Sequence, residues 1–532
     1  MELNRCLLAT LLWVGPPGSA QAPNADFLLP EPAAKPPAAL ALALEGLRAN
    51  ALAVHINLLA SPRLEGRGLG TRGLDLGAEY LATRLAEAGL APFGDAVAGQ
   101  RTPSWFQAVP FRRLRQPSAT LTLRFPAGEP LRLASGAEGL FPKLAPGSVS
   151  VPLVFAGHGL REKALNHDDF QGLEVKGKAV LFLGGLPPGD GWRQPPFLTR
   201  YTPEDPDDRY DARLEVLRKL GAAMAIALEE DFPEPNKARK LAAEAAFLDP
   251  AEAPPAEGPS LVRIPAAKAK ELLARLGIGM TLPGATATLD STGLLQVETS
   301  RNVLAVLPGS DPKVRDEAVV LGAHYDHLGR VDGVIRPGAD DNASGVAALL
   351  EIARAFAASP RKPRRTLVFA FWTGEEEGKF GSSHYVRHPS WPLQRTRAYL
   401  NLDMIGHPWT AAELRKLVAE ARLEPAEAYL AAVKPADFIE PGVASSAPWL
   451  GQVLAAAASH VGAPLHLDWT DGLHGGSDYR PFARAGVPFV RFFGNFFPDY
   501  HKPGDTPDQV DPAQALKITR LALATAWLLA ER

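Results

Sequence analysis

The strongest chemical signal in this 532-residue sequence is a set of histidines and carboxylates that recur directly after short apolar runs. Ala318–Leu321 leads into Gly322-Ala-His324-Tyr-Asp326-His327, Thr366–Phe371 into Glu375-Glu376-Glu377, and Tyr399–Leu402 into Asp403, while Val487–Phe493 precedes Tyr500-His501. A fifth group, Asp340-Asp341-Asn342, follows Gly338 and opens a helical stretch whose first turn favours carboxylates. Each has an ordinary explanation when taken alone. An Asp-Asp-Asn before a helix is usually a cap, a glutamate run a solvated face, and a lone histidine a structural residue. Together, two imidazoles and three carboxylates after different strands of one sheet make a mixed nitrogen and oxygen donor set that suits zinc. Adjacent glutamates fit the same chemistry, because one can ligate a metal while its neighbour takes a proton from water. His324 with Asp326 two residues on further predicts a metal-bound imidazole held by a carboxylate. The single cysteine, Cys6, lies close to the N-terminus, so thiolate chemistry is not expected elsewhere.

Positioning such a set requires a sheet, and beyond Arg301 the apolar runs alternate with helical patterns at Ser344–Ala357 and Ala447–Val461. That alternation predicts an α/β fold with helices on the sheet faces, and ligands in such folds bind outside the carboxyl ends of the strands. Residues 407–446 fit the sheet poorly and read as a helical insertion or lid. Upstream, Leu40–Leu59 and Gly73–Ala88 have helical apolar spacing. From 118 to 290 the pattern changes to short β-rich runs such as Val151–Ala156 and Ala179–Leu183, with a helix over Asp211–Leu220 leading through Gly221 into Ala222–Leu228. This reads as an inserted domain. The predicted division is 1–22 signal peptide, 23–39 linker, 40–117 helical start of the main domain, 118–290 insert and 291–532 catalytic region.

The formal net charge of −3 provides no basic field, so nucleic acid is not expected as a partner. Arg5, the apolar run Cys6–Val14 and the small residues Gly18, Ser19, Ala20 and Ala22 resemble a signal peptide, which predicts a secreted or periplasmic product. The run is shorter than the about 20 residues that span a bilayer as a helix, and no later segment is long and apolar enough, so no membrane span is expected.

Over about residues 300–525 the sequence resembles the co-catalytic di-zinc aminopeptidase and glutamate-carboxypeptidase family of metallopeptidases, including bacterial leucyl aminopeptidases. The resemblance rests on Gly322-Ala-His-Tyr-Asp-His-Leu-Gly329, Gly338-Ala-Asp-Asp-Asn-Ala-Ser-Gly345, Gly374-Glu-Glu-Glu-Gly378, Asn401-Leu-Asp-Met404 and Tyr500-His-Lys-Pro-Gly-Asp-Thr506, five motifs in the right order. It implies a mostly parallel twisted sheet flanked by helices, two zinc ions per chain and peptide substrates. His324 and Asp403 would hold one zinc, Glu376 and His501 the other, and Asp341, rather than its neighbour Asp340, would bridge them. Glu375 would be the general base and Tyr500 would help stabilise an oxyanion, with Asp326 and Asp505 supporting the ligands from behind.

The insert resembles a protease-associated domain through Val154-Phe-Ala-Gly-His-Gly-Leu160, Asp169-Phe-Gln-Gly-Leu-Glu-Val-Lys-Gly-Lys178 and Gly221-Ala-Ala-Met-Ala-Ile226, which implies a module that shapes access to the cleft and favours small peptides. An aminopeptidase is the preferred reading. A carboxypeptidase would need cationic groups for the substrate carboxylate, for which Arg480 and Arg491 are candidates. Glutaminyl cyclases share the sheet and several ligands, and some relatives are inactive binding modules that have lost ligands; none of the expected ligands is missing here.

Overall fold

Continuous apolar runs form strands buried on both faces, and those read from the sequence between Arg301 and Leu402 do so here, whereas of Val487–Phe493 only Phe489–Phe492 is strand, with Arg491 partly exposed. The computed structural model describes residues 26–29 and 35–531, except 137, 142–145, 195, 203–208, 230–231, 234–245, 249–258, 266–267, 269–281, 422, 424 and 474–475. The expected signal peptide, residues 1–22, lies outside the described residues. Part of the expected linker does not: Phe27–Leu28 pairs antiparallel with Leu465–His466.

The predicted helix over Leu40–Leu59 is two helices, α1 (Ala38–Gly46) and α2 (Ala49–Leu59), bent by 48°. α3 (Arg72–Glu87) follows, capped by the Thr71 hydroxyl, which accepts from the Leu74 amide. Among the described residues no single helix is long and apolar enough to cross a membrane.

One sheet then runs through the rest of the molecule. β1 (Phe106–Arg124) enters the insert, whose parallel strands are β2 (Gly147–Phe155), β3 (Ala179–Leu183), β4 (Met224–Glu229) and β5 (Ser260–Pro265), with α4 (Asp211–Lys219) before β4. β6 (Thr286–Leu307) returns from it. The first part of β6 pairs with β2, nearly its whole length with β1, and its last residues with β8 (Thr366–Trp372), all antiparallel. β7 (Ala318–His324), β8, β9 (Thr396–Leu402) and β10 (Phe489–Phe492) are parallel neighbours in the order β8-β7-β9-β10.

The sheet is therefore mixed, with a parallel stretch through β7–β10. The insert has no sharp boundary at 118 or 290, because both bordering strands run through those positions and stay paired there across one register shift between Thr292 and Leu294.

Around β7–β9 the core is closed by α5 (Gly345–Ala358), α6 (Trp449–Val461) and α7 (Pro512–Glu531); α5 and α7 pack with α1 and α2, and α6 packs on α7. α5 is buried at 11 of its 14 positions, so it behaves as a central helix rather than an amphipathic surface one. The N-terminal helices are tied to it by polar contacts as well: Arg354 donates to the Gly46 carbonyl at 2.8 Å, and His55 Nε2 lies 3.4 Å from Glu351. The insert keeps separate apolar clusters, one around Leu121, Leu181, Ile226 and Val262, another around Phe170, Phe182 and Leu217. Residues 407–446 form a helical insertion, Ala411–Glu420 and Ala426–Ala432, over a small cluster of their own that includes Leu414, Tyr429, Phe438 and Phe27.

Candidate metal centre

The carboxyl ends of β7, β8 and β9 lie side by side, so the residues at or just beyond them converge although they are far apart in sequence. His324 ends β7, Glu375 and Glu376 follow β8, and Asp403 follows β9. The loop before α5 brings Asp341 between them, and the loop after β10 brings His501. His324 Nε2 is 3.2 Å from Asp403 Oδ1 and 3.3 Å from Asp341 Oδ1. His501 Nε2 is 3.1 Å from Asp341 Oδ2 and 3.1 Å from Glu376 Oε2. Asp341 thus turns one oxygen to each of two donor sets.

Two ligands of a tetrahedral ion bound at about 2.0–2.1 Å lie about 3.3–3.4 Å apart, so both sets have the spacing of ligand atoms around a common ion. The charge balance points the same way. Burial lowers the His501 pKa, but Asp341 and Glu376 outweigh it and push it up to about 11. Burial raises Asp341, yet His327, His324 and His501 hold it well below the ordinary carboxylate range. The cluster calls for positive charge, which protons supply when no cation does.

The loops are held from behind. Asp505 accepts from the Asp340 and Asp341 amides at 2.8 and 3.1 Å. Asp340 points away, accepting from the Gly406 amide at 2.7 Å and contacting His407 Nδ1 at 2.6 Å. Asp326 differs from the sequence expectation. It lies 3.8 Å from His324 Nδ1, too far for a hydrogen bond, and its two oxygens accept from the Glu375 and Glu376 amides at 3.2 and 3.3 Å. It fixes the glutamate turn rather than the imidazole.

Asp403 is held through a buried relay in which every donor points toward the site. Trp372 Nε1 donates to Tyr399, Tyr399 to Asn401 Oδ1, Asn401 Nδ2 to Ser477 Oγ, each at 2.8 Å, and Ser477 donates to Asp403 Oδ2 at 2.5 Å.

Glu375 is buried beside the cluster with Lys379 Nζ 3.3 Å from its Oε1. Burial pushes its carboxyl well above the ordinary range, against the pull of Lys379. Tyr500 stacks on His501 with ring centroids 3.8 Å apart and lines a pocket with Asp403, Ser477, Tyr479, Arg491 and Phe493. Arg491 is engaged by Asp468 at 3.2 Å. Arg480 is not in that pocket; it pairs at 3.0 Å with Asp211 at the start of the insert helix α4.

Arg67 carried no signal in the sequence. Fully buried, it donates to the carbonyls of Tyr325 at 2.8 Å, Pro337 at 2.9 Å and Gly338 at 2.8 Å, and so clamps the His324 loop to the Asp341 loop. Burial lowers its pKa to about 10, which still leaves it charged at neutral pH. His327, Lys379, Asn401 and Ser477 are further site residues whose roles the spacing did not reveal.

The model of peptidase family M28 matches residues 302–526, the stretch that supplies every one of these ligands. That stretch belongs to peptidase family M28. Among curated proteins the chain is similar to leupeptin-inactivating enzyme 1 of Streptomyces exfoliatus, 28% identical over 314 residues, covering 54% of this chain and 60% of that protein. It is also similar to aminopeptidase YwaD of Bacillus subtilis, 28% identical over 237 residues, covering 43% of this chain and 45% of that one. The chain thus spans about half the length of these relatives. The solved aminopeptidase of Aneurinibacillus sp. strain AM-1 shares the fold at a TM-score of 0.52 and 20% identity over 92% of this chain and 96% of that one, so the likeness extends beyond the M28 stretch into the insert.

Proposed function

We propose that the chain is a zinc-dependent exopeptidase that removes N-terminal residues from peptides, with two zinc ions per chain. The observation that carries this reading is the pair of donor sets sharing Asp341, each with imidazole-to-carboxylate spacings of 3.1–3.3 Å, beside a carboxylate that belongs to neither set. His324 and Asp403 would hold one zinc, and Glu376 and His501 the other. Zinc at such a site lowers the pKa of water and polarises a carbonyl.

The chain's own groups do the rest. Glu375 takes a proton from the attacking water and returns it to the leaving amine, a task suited to a carboxyl whose pKa burial has raised. Asp326 holds the Glu375 and Glu376 amides, so both carboxylates keep their places. Tyr500 offers a hydroxyl to the developing oxyanion, and the pocket walls Tyr479, Phe493 and Arg491 bear on the side chain of the residue to be released.

Release from the amino end is favoured over the carboxyl end because the two guanidinium groups that could bind a substrate carboxylate are already paired, Arg480 with Asp211 and Arg491 with Asp468. We read the insert as a protease-associated type of module bordering the cleft, and the N-terminal segment as an export signal, which would place the enzyme outside the cytoplasm.

Metal content by mass spectrometry, paired with hydrolysis of aminoacyl anilides and N-blocked peptides before and after chelation, tests the reading. About two zinc ions per chain and chelator-sensitive release from unblocked substrates alone are expected. Metal-free protein with no zinc-restorable turnover, or release of C-terminal residues only, overturns it.

A further inference from the structure

We propose that His327 is a positioning residue for the second metal subsite, donating from Nδ1 to Glu376 Oε1 so that Oε2 stays turned toward His501 and Asp341. The inference rests on the zinc reading above and concerns how one ligand is aimed. His327 Nδ1 is 2.5 Å from Glu376 Oε1 and 3.7 Å from Asp341 Oδ2. The first distance is shorter than the about 3.3–3.4 Å expected between two ligands of one tetrahedral ion. It is the distance of a short hydrogen bond to a charged acceptor. The four contacts among the expected ligands, at 3.1–3.3 Å, form a separate class. His327 is therefore a neighbour of the ligand set rather than a member of it.

The ring is held for this task. The His327 amide donates to the Arg67 carbonyl at 3.2 Å, and the imidazole meets the His501 ring edge-on with centroids 5.7 Å apart. It also lies against Gly338, where a Cβ would come within 2.5 Å of its Cγ and where φ is +62°, so both space and backbone require glycine there. The first subsite is built in the same way: Asp403 presents Oδ1 to His324 while Ser477 holds its Oδ2 at 2.5 Å. Each terminal carboxylate ligand thus has one oxygen aimed at the metal position and the other occupied by a dedicated donor. Partners of this kind orient ligands and raise affinity.

The test is zinc affinity of the full chain, measured by competition with a chromophoric chelator, for wild type, His327→Ala and His327→Asn, with thermal unfolding of the metal-free proteins as the control for folding. Wild type should bind two zinc ions. His327→Ala should weaken one of them by about 10- to 100-fold and leave the other unchanged. His327→Asn, whose amide can donate one N–H in place of Nδ1, should recover affinity to within a few-fold of wild type. If His327→Asn binds as weakly as His327→Ala while melting like wild type, His327 is a ligand and the proposal falls. Two unchanged zinc affinities in His327→Ala also overturn it, and leave the zinc reading standing. A wild-type chain without zinc ends both.

Discussion

Along β6 the molecule shows two ways of burying charge. In the insert, buried acids are matched where they stand: Glu229 accepts two hydrogen bonds from Arg263 at 2.9 Å, and Glu162 accepts from Arg200 at 2.6 Å and from Tyr201 at 2.7 Å. Beyond the ends of β7–β9, Asp326, Asp341, Glu375 and Asp403 are buried together, and besides Arg67 and Lys379 their nearest partners are the imidazoles of His324, His327 and His501. Desolvating an ion is costly unless it is compensated. The first arrangement is balanced by permanently charged or fixed donors, whereas the second draws its balance from imidazoles, which can hold either a proton or a cation. A buried acid is thus informative about function chiefly when its compensation is exchangeable.

The sharpest way to break this comparison is Glu375→Ala. It should lower kcat by roughly 10²- to 10⁴-fold while zinc content stays at the wild-type level, as expected for a base outside the ligand set; steady-state kinetics with metal analysis on the same sample decides it, and retained turnover removes Glu375 from its role. Next in size is Leu181→Ala, at the centre of the insert's apolar cluster, which should cost about 2–5 kcal/mol of stability in denaturant titration. Turnover of a single-residue anilide should be unaffected by it in native buffer; a parallel loss of kcat would mean that the insert takes part in the chemistry.

Acid should loosen the metal-bearing side at Glu351. Burial raises its pKa, but His55 and Arg354 outweigh that and bring it to about 2 in the folded chain, against an ordinary 4.5. Its contribution is therefore present above pH 4.5 and disappears as pH falls toward 2. Glu351→Gln should flatten the loss of unfolding midpoint across that window, and an unaltered acid limb would refute the assignment. The smallest effect is expected for Asp211→Ala, which breaks the partly exposed pair with Arg480. Stability should change by no more than about 1 kcal/mol. A KM that changes for longer peptides but not for anilides would show the insert bordering the substrate path.

Much of the metal-bearing side is legible in the sequence because a doubly buried strand has to be an apolar run, and the residues just after it have to be loop. That rule locates His324, Glu375, Glu376 and Asp403 without any contact information, and order along the chain adds Asp341 and His501. The supporting groups obey no such rule. Arg67 meets the Tyr325 and Gly338 carbonyls across about half the chain, and Ser477 reaches Asp403 from a different loop, so neither leaves a local pattern. His327 stood inside a recognised motif, but ligand and positioning imidazoles look alike until distances separate them. The limits of the insert leave no sharp mark for the opposite reason. The alternation through Leu121, Thr122 and Leu123, and again through Ala287, Thr288 and Leu289, is ordinary strand pattern, and the two strands stay paired past both predicted ends across one register shift between Thr292 and Leu294.

The ribbon of β1 and β6 is paired from Phe106 opposite Val303 to Arg124 opposite Thr286, with one irregularity between Thr292 and Leu294. Its rungs make it a ladder that can be shortened evenly. Cutting both strands at one rung, for instance Arg112 and Val297, and closing the ends with a two-residue turn would remove the insert while sparing every rung below the cut. Such a deletion leaves the pairing of β6 with β8 untouched and costs the remainder the Asp211 partner of Arg480, so the geometry of this chain already outlines a smaller protein within it.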